Sequence, residues 1–317
     1  MKTPDCWNKK NFISNILLPL GCLYNLATKL NIKFSRPKSI DKPVICIGNL
    51  TAGGTGKTPV AISLAEIIRS LGKNPFFISR GYGGSLKGVV VDNRKHTAAE
   101  VGDEPLLLSR QAPVIVNPDR FLGARKALEN GADLIIMDDG FQNPGLKKDL
   151  SFLVFDGGFG YGNGRGIPAG PLRESLSDGL KRAQAVIIIG EDKHNLAEEF
   201  GFLPVFKGTV TPKKIETANS DAIAFAGIGR PEKFYASMRE MGFNLLKTVD
   251  FPDHHQYTQQ ELENLIAMAE KQRAELYTTS KDFVKIPAKL QKNFKVLEIG
   301  IQWENKAELT DFLKKHI

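Results

Sequence analysis

From residue 41 onward, short unbroken apolar runs alternate with stretches in which apolar residues recur every three or four positions. The runs within "KPVICIGNL", "NPFFIS", "GVVVD", "APVIVN", "ADLIIMDD", "LSFLVFD" and "AQAVIIIG" predict strands, most of them buried on both faces. "PVAISLAEIIRSLG", "DEPLLLSRQ" and "PDRFLGARKALENG" predict helices, two of them stopped by Gly72 and Gly131. The alternation predicts an α/β fold with a mainly parallel sheet flanked by helices. After "TPKKIETANSD" (211–221), which reads as a linker, the pattern starts again. "AIAFAGI" predicts a strand, Pro231 opens a helix that Gly242 closes, and Thr258 with Glu261 forms a capping box. "AELYTTSKD" and "NFKVLEIG" are strand-like, and "NKAELTDFLKKHI" is a last helix. The chain therefore divides into 1–40, a domain over 41–215 and a smaller C-terminal α/β domain over 216–317.

The first forty residues follow a different pattern. In "NFISNILLPLGCLYNLATKLNI" (11–32), Ile13, Ile16, Leu17, Leu20, Leu23, Tyr24, Ala27 and Leu30 fall on one helical face. Ser14, Gly21, Asn25 and Thr28 line the other. Pro19 is expected to kink or split this helix. Asn15, Pro19, Gly21 and Asn25 argue against a full membrane span, and no small-residue cleavage site follows to mark a secretory signal.

Charge sharpens this picture. Lys2, Lys9, Lys10, Lys29, Lys33, Arg36 and Lys38 stand against Asp5 alone, so the first forty residues carry +6 of the chain's +8. Nucleic-acid binders spread basic groups over a folded face; here they flank one apolar segment, and nucleic acid is not an expected partner. Two readings follow: an interfacial helix whose lysines meet anionic lipid headgroups, or an ordinary amphipathic helix packed on the body. The basic flanks favour the first. Hydrophobic residues make up 42% of the 317, enough for a sizeable core. Cys6, Cys22 and Cys46 have neither disulfide-framework nor zinc-site spacing, which suits a reducing compartment.

The candidate chemistry begins at "TAGGTGKT", Thr51, Ala52, Gly53, Gly54, Thr55, Gly56, Lys57 and Thr58. It departs from G-x-x-x-x-G-K-[ST] only at its first position, and it lies between a predicted strand and a predicted helix, as a phosphate-binding loop must. Lys57 would reach the β- and γ-phosphates and Thr58 would ligate Mg²⁺. Such a loop calls for an acid at the end of a buried strand, and "LIIMDDG" supplies Asp138 and Asp139. Asp103 in "GDEP" reads either as a helix cap or as a catalytic carboxylate, and spacing alone favours the cap. In "DFPDHHQYT", His254 and His255 read as a polar loop or as support for a catalytic carboxylate. Arg173 and Glu174 in "PAGPLRE" offer a phosphate-binding arginine or merely a surface helix start. The long glycine-rich stretch 157–174 before them is a candidate functional loop.

Taken together and in order, "GNLTAGGTGKTP", "SRGYGG", "GDEP", "DDGFQ", "GNGRGIPAGPLRE", "FAGIGRPEKF", "FPDHH" and "TTSKD" resemble the tetraacyldisaccharide 4'-kinase family of bacterial lipid A biosynthesis, over nearly the whole chain. Ile167 before Pro168, where leucine is usual, is a conservative departure, and Thr51 fits the family's own form of the loop. The resemblance implies a P-loop NTPase-type fold, ATP and Mg²⁺ as cofactors, and a monotopic place on the cytoplasmic face of the inner membrane. It implies transfer of the γ-phosphate to the 4'-hydroxyl of a tetraacyldisaccharide 1-phosphate, and no protein partner. Carried over by motif, Lys57 and Thr58 serve ATP and Mg²⁺, with Asp138, Asp139 and Glu104 at or near the metal. Asp103 becomes the catalytic carboxylate with His254 as its partner, and Arg173 and Glu174 fall to the substrate. Membrane-tethered ATP switches of the cell-division-regulator type are the competing class, but Ala52 stands where they carry a signature lysine, and their membrane helix is C-terminal. A soluble small-molecule kinase fits poorly with a +6 segment beside an apolar helix.

Overall fold

The computed structural model describes residues 4–213 and 221–317. The seven apolar runs become β1 (Val44–Gly48), β2 (Pro75–Ser79), β3 (Val89–Val90), β4 (Val114–Val116), β5 (Leu134–Asp138), β6 (Leu150–Asp156) and β7 (Ala185–Ile189), and β8 (Val205–Pro212), which no apolar run announces, follows. Beyond them come β9 (Asp221–Ala226), β10 (Asn244–Asp250), β11 (Glu275–Thr279), β12 (Lys295–Leu297) and β13 (Ile299–Trp303). Nine strands form one sheet in the order β13-β8-β7-β6-β1-β5-β2-β4-β3. All pairings within β8 to β4 are parallel, and only the edge strands β13 and β3 run antiparallel. Every residue of β1, β2, β4, β5, β6 and β7 is buried, because helices cover both faces of the sheet. One face packs Ile45, Ile47 and Phe152 against Val60, Leu64 and Ile68; the other packs Cys46, Leu153 and Phe155 against Ala124, Phe141 and Phe200.

A second sheet, all parallel, has the order β10-β9-β11-β12. Sequence pattern places everything from 216 to 317 with it, and there the structure differs. The segment "NFKVLEIG" holds two strands that part at Glu298. β12 extends the small sheet beside β11, whereas β13 returns antiparallel along β8, with Ile299 opposite Pro212 and Trp303 opposite Gly208. Trp303 Nε1 donates to Ser63 Oγ at 2.9 Å, and Leu309 and Leu313 of the last helix, Lys306–Lys314, bury into the large core. The small unit thus ends near 297, and the final twenty residues belong to the large one. Of the expected linker, Thr211 and Pro212 close β8 and residues 214–220 lie outside the described residues.

The Thr258–Glu261 capping box is present at the helix Gln259–Gln272. The Thr258 amide, then the His255 ring and the Thr258 hydroxyl, hold the Glu261 carboxyl down to about 2, from an ordinary 4.5. A depressed carboxylate contributes stability that is complete above its unfolded value and is lost as pH falls through the folded one. Urea midpoints measured from pH 6 to pH 2 should therefore fall less steeply below pH 4.5 in Glu261→Gln than in the unaltered chain. Parallel curves would show that the cap carries none of the acid sensitivity.

At the N-terminus, the single helix expected over 11–32 is broken at Leu17 into α1 (Phe12–Ile16) and α2 (Leu18–Phe34). Pro19 falls in the first turn of α2, where its missing N–H costs no hydrogen bond, so the break lies just ahead of it. The orientation is the reverse of an ordinary amphipathic helix. Phe12, Ile16, Leu20 and Leu23 are more than half exposed, while Ser14 and Gly21 are buried. The small, polar face docks on the glycine-rich loop 157–174. Arg165 donates to Ser14 Oγ at 3.0 Å, Trp7 Nε1 to the Pro168 carbonyl at 3.0 Å, and Asn163 Nδ2 to the Cys6 carbonyl at 2.8 Å. A Cβ on Gly21 would lie 2.7 Å from the Gly166 carbonyl oxygen, so only glycine lets α2 approach so closely. Among the described residues no helix is long and apolar enough to cross a membrane.

Candidate active site

The carboxyl ends of the parallel strands share one edge of the large sheet, the usual place for a ligand in such a fold. β1 delivers the loop 51–58 to that edge. Thr51 forms an isolated antiparallel bridge with Leu172, and the Ala52 amide donates to the Pro171 carbonyl at 2.8 Å. The first loop position is therefore paired backbone with no left-handed turn, and a Cβ there is harmless. The left-handed positions fall at Gly53 (φ 126°) and Gly56 (φ 86°), where glycine is needed. Gly56 is also the N-cap of α3 (Lys57–Ser70), so the free amides of the first helical turn open onto the loop.

β5 ends beside it with the two expected acids, and their environments separate them. Asp138 is buried, its Oδ2 accepts from Thr58 Oγ1 at 3.3 Å, and its Oδ1 has no hydrogen-bond partner. Burial, then the charge of Glu104, push Asp138 up to about 7. Asp139 has a left-handed backbone (φ 52°), which turns its side chain to Lys57 Nζ at 3.5 Å and to Arg173 at 3.0 and 3.2 Å. Burial opposes its ionisation, but Lys57 and Arg173 together outweigh it and hold the carboxyl below its ordinary value. Burial raises Glu104, against the pull of Lys281.

These donors fit Mg²⁺. Asp138 Oδ1 is an orphaned buried acceptor that a cation would satisfy, Thr58 is hydrogen-bonded to the same carboxylate, and all the groups are hard oxygens. Among the described residues no three of His, Cys, Asp and Glu form a ready-made cage.

The small unit supplies the remaining groups. His254 has a left-handed backbone (φ 60°), fixed by its amide donating to the Gly227 carbonyl at 3.2 Å. Its Nδ1 lies 2.9 Å from Asp103 Oδ2, across the cleft and 151 residues away in sequence. Asp103 opens the helix Asp103–Ser109, with Gly102 as the N-cap. Its Oδ1 accepts from the Glu104 amide at 3.0 Å, and its side chain is 7% exposed against 42% for His254. Asp103 is thus the first helical residue and not the cap that spacing favoured; one oxygen takes a first-turn amide and the other faces the imidazole. A second crossing links Arg230 and Lys233 to Asp156 at the end of β6, at 3.1 and 3.6 Å.

Against this geometry the comparisons are decisive. The sequence model of the family described as "Tetraacyldisaccharide-1-P 4'-kinase" matches residues 13–317. The chain belongs to the tetraacyldisaccharide 4'-kinase family. The tetraacyldisaccharide 4'-kinase of Paramagnetospirillum magneticum is 45% identical over 315 residues, covering 98% of this chain and 97% of its own. That of Rhodospirillum centenum is 46% identical over 314 residues, covering 96% and 93%. Among solved structures, the LpxK of Aquifex aeolicus in complex with ATP superposes with a TM-score of 0.77 at 27% identity, covering 96% of this chain and 99% of that one.

Within this 4'-kinase family member, one expected substrate group is elsewhere. Glu174 does not face the cleft. It is 3% exposed, ion-paired with Arg182, and accepts from Gln142 Nε2 at 2.9 Å. It anchors the loop that presents Arg173. His255 also turns away, to Glu261 at 3.1 Å. Sequence reasoning passed over Lys281, whose Nζ lies 3.1 Å from His254 Nε2. It also passed over Arg120, 5% exposed, with Nε unpartnered. Burial, then nearby Arg80, lower the Arg120 guanidinium from its ordinary value. Both sit in the first turn of a helix that follows a parallel strand, Lys281 after β11 and Arg120 after β4, which is the signal that would have found them.

Proposed function

We propose that this kinase transfers the γ-phosphate of ATP to the 4'-hydroxyl of tetraacyldisaccharide 1-phosphate. The contact of Asp103 with His254 beside the phosphate loop carries this reading, because it puts a base where an acceptor hydroxyl would lie. The amides of 53–58 and Lys57 hold the β- and γ-phosphates. Thr58 and Asp138, with Glu104 nearby, would hold Mg²⁺, which when bound neutralises charge on the phosphate oxygens. Arg173 and Asp139 orient Lys57 and the transferred group.

The geometry revises one role. Both oxygens of Asp103 are engaged and its side chain is nearly enclosed, whereas the His254 side chain is 42% exposed and meets Asp103 through Nδ1, leaving Nε2 on the far side of the ring. We therefore assign His254 Nε2 as the atom that takes the hydroxyl proton, with Asp103 behind it accepting from Nδ1–H. As the 4'-oxygen bonds to the γ-phosphorus, the bond to the bridging oxygen breaks and ADP leaves. Arg173 remains a substrate-side group, and Glu174 is its support.

The outward apolar face of α1 and α2 supports a place on an anionic lipid surface, the cytoplasmic face of the inner membrane. Acyl chains of the acceptor stay in the bilayer and its sugar meets the loop at headgroup level. Incubation with MgATP labelled at the γ position, with and without the disaccharide 1-phosphate lipid in detergent micelles, tests the reaction. Label on the lipid is the expected result; label appearing only as free phosphate would replace the kinase by an ATP switch.

A further inference from the structure

The contact between Lys281 and His254 has chemical content of its own. An ammonium group has hydrogens to give and no lone pair. At 3.1 Å from Lys281 Nζ, His254 Nε2 must therefore present its lone pair, and the ring proton sits on Nδ1, facing Asp103 Oδ2 at 2.9 Å. This is the tautomer a base acting at Nε2 requires. Yet the lone pair that would take the proton is already occupied. A sugar hydroxyl cannot reach it until the ammonium leaves.

The surroundings are arranged for such a movement. Asp282 and Lys285 are fully buried and paired at 2.7 Å. Asp282 also accepts from the Gly227 amide at 2.9 Å and from Thr279 Oγ1 at 2.7 Å, and Lys285 donates to the His255 carbonyl at 3.2 Å. These bonds lock the histidine loop, the end of β9 and the turn Ser280–Phe283 into one platform. Lys281 is the flexible member of that platform, its side chain 24% exposed on a four-carbon stem. It rests between His254 and Asp253, the latter 3.6 Å away, and Glu104 on the large unit already feels its charge. A bound triphosphate would place more negative charge on that side of the cleft than Asp253 offers on the other.

We propose that Lys281 is a positioning residue that gates the base: it holds His254 Nε2 while the phosphate site is empty and leaves it when a nucleoside triphosphate enters. Proton transfer from the acceptor is thereby confined to the nucleotide-loaded site. This inference rests on the assignment of His254 as the base.

The test is ¹⁵N NMR of the full chain labelled at histidine, with the His254 ring signals assigned by difference from His254→Gln. In the unaltered protein, Mg²⁺ with a non-hydrolysable ATP analogue is expected to shift Nε2 toward the position of a free lone pair, while Nδ1 stays protonated. In Lys281→Met, which keeps the stem and removes the charge, Nε2 should already lie at the shifted position without nucleotide, and the response should be lost. Lys281→Arg, always charged and a donor, should retain the response. Turnover should fall in the methionine variant, because the ammonium that leaves His254 for the triphosphate is then missing beside the phosphates, with the Michaelis constant for the lipid little changed and a partial recovery with arginine. An Nε2 signal unmoved by nucleotide in the unaltered protein, or an equal shift in Lys281→Met, would overturn the gate. The readout needs no acceptor and no transfer, so a failed gate leaves the kinase reading standing, and absent transfer with an intact response removes that reading alone.

Discussion

Asp103→Ala is expected to lower turnover about 10²–10⁴-fold, the range for groups that carry general acid–base catalysis, while ATP still binds. The carboxylate does not touch the phosphate loop. Its one oxygen accepts from the Glu104 amide and its other faces His254 Nδ1. Without it the ring loses both its orientation and the acceptor that keeps the proton on Nδ1. His254→Gln should cost a similar factor, and the double variant should cost little more than either single one, because the two side chains act as a unit. Steady-state rates of lipid phosphorylation, with nucleotide binding followed separately by calorimetry, check this. Fully additive losses would mean that the two residues act independently, and near-normal turnover in Asp103→Ala would remove it from the chemistry.

The second large effect concerns the lipid surface. Replacing Leu20, Leu23 and Leu30 together by aspartate should weaken binding to anionic vesicles about a thousandfold. Burying one leucine contributes about 1.5–3 kcal/mol, or roughly tenfold or more each. The thermal midpoint should barely move, because these side chains are 54%, 62% and 42% exposed and touch little of the body. Gly21→Leu makes the opposite change. It enters the space against the Gly166 carbonyl, lifts α2 from the 157–174 loop and should lower the midpoint while leaving the apolar face intact. Sedimentation with phosphatidylglycerol vesicles separates the two. If the triple variant sediments like the unaltered chain, the exposed face is not what holds the protein to lipid.

The central strands and the phosphate loop were legible because their signals are local. Four consecutive apolar residues leading into Asp138 read as a buried strand, and a Gly-Lys-Thr between strand and helix has one common use. β10 escaped because it is an edge strand with only Leu245 and Val249 half-buried, so its sequence shows no period. β13 was assigned to the wrong sheet because an apolar run announces burial without naming its neighbour. At the site, motif resemblance paired Asp103 with His254, but no spacing in the sequence reveals which of the two is enclosed. Glu174 adjoins Arg173 in the chain, yet Arg173 meets Asp139 while Glu174 is buried against Arg182, a division that adjacency in sequence does not reveal.

The return of β13 along β8 has a mechanical consequence. The chain leaves the large sheet and comes back to it through two strands bonded side by side, with the Lys213 amide on the Glu298 carbonyl just past the last rung. A body hung from paired ribs can bend about the line between them far more readily than it can twist or slide. His254 and Lys281 ride on that body together. Any swing of the lobe would therefore carry His254 and Lys281 away from Asp103 and back along a single arc, like two pins of one plug.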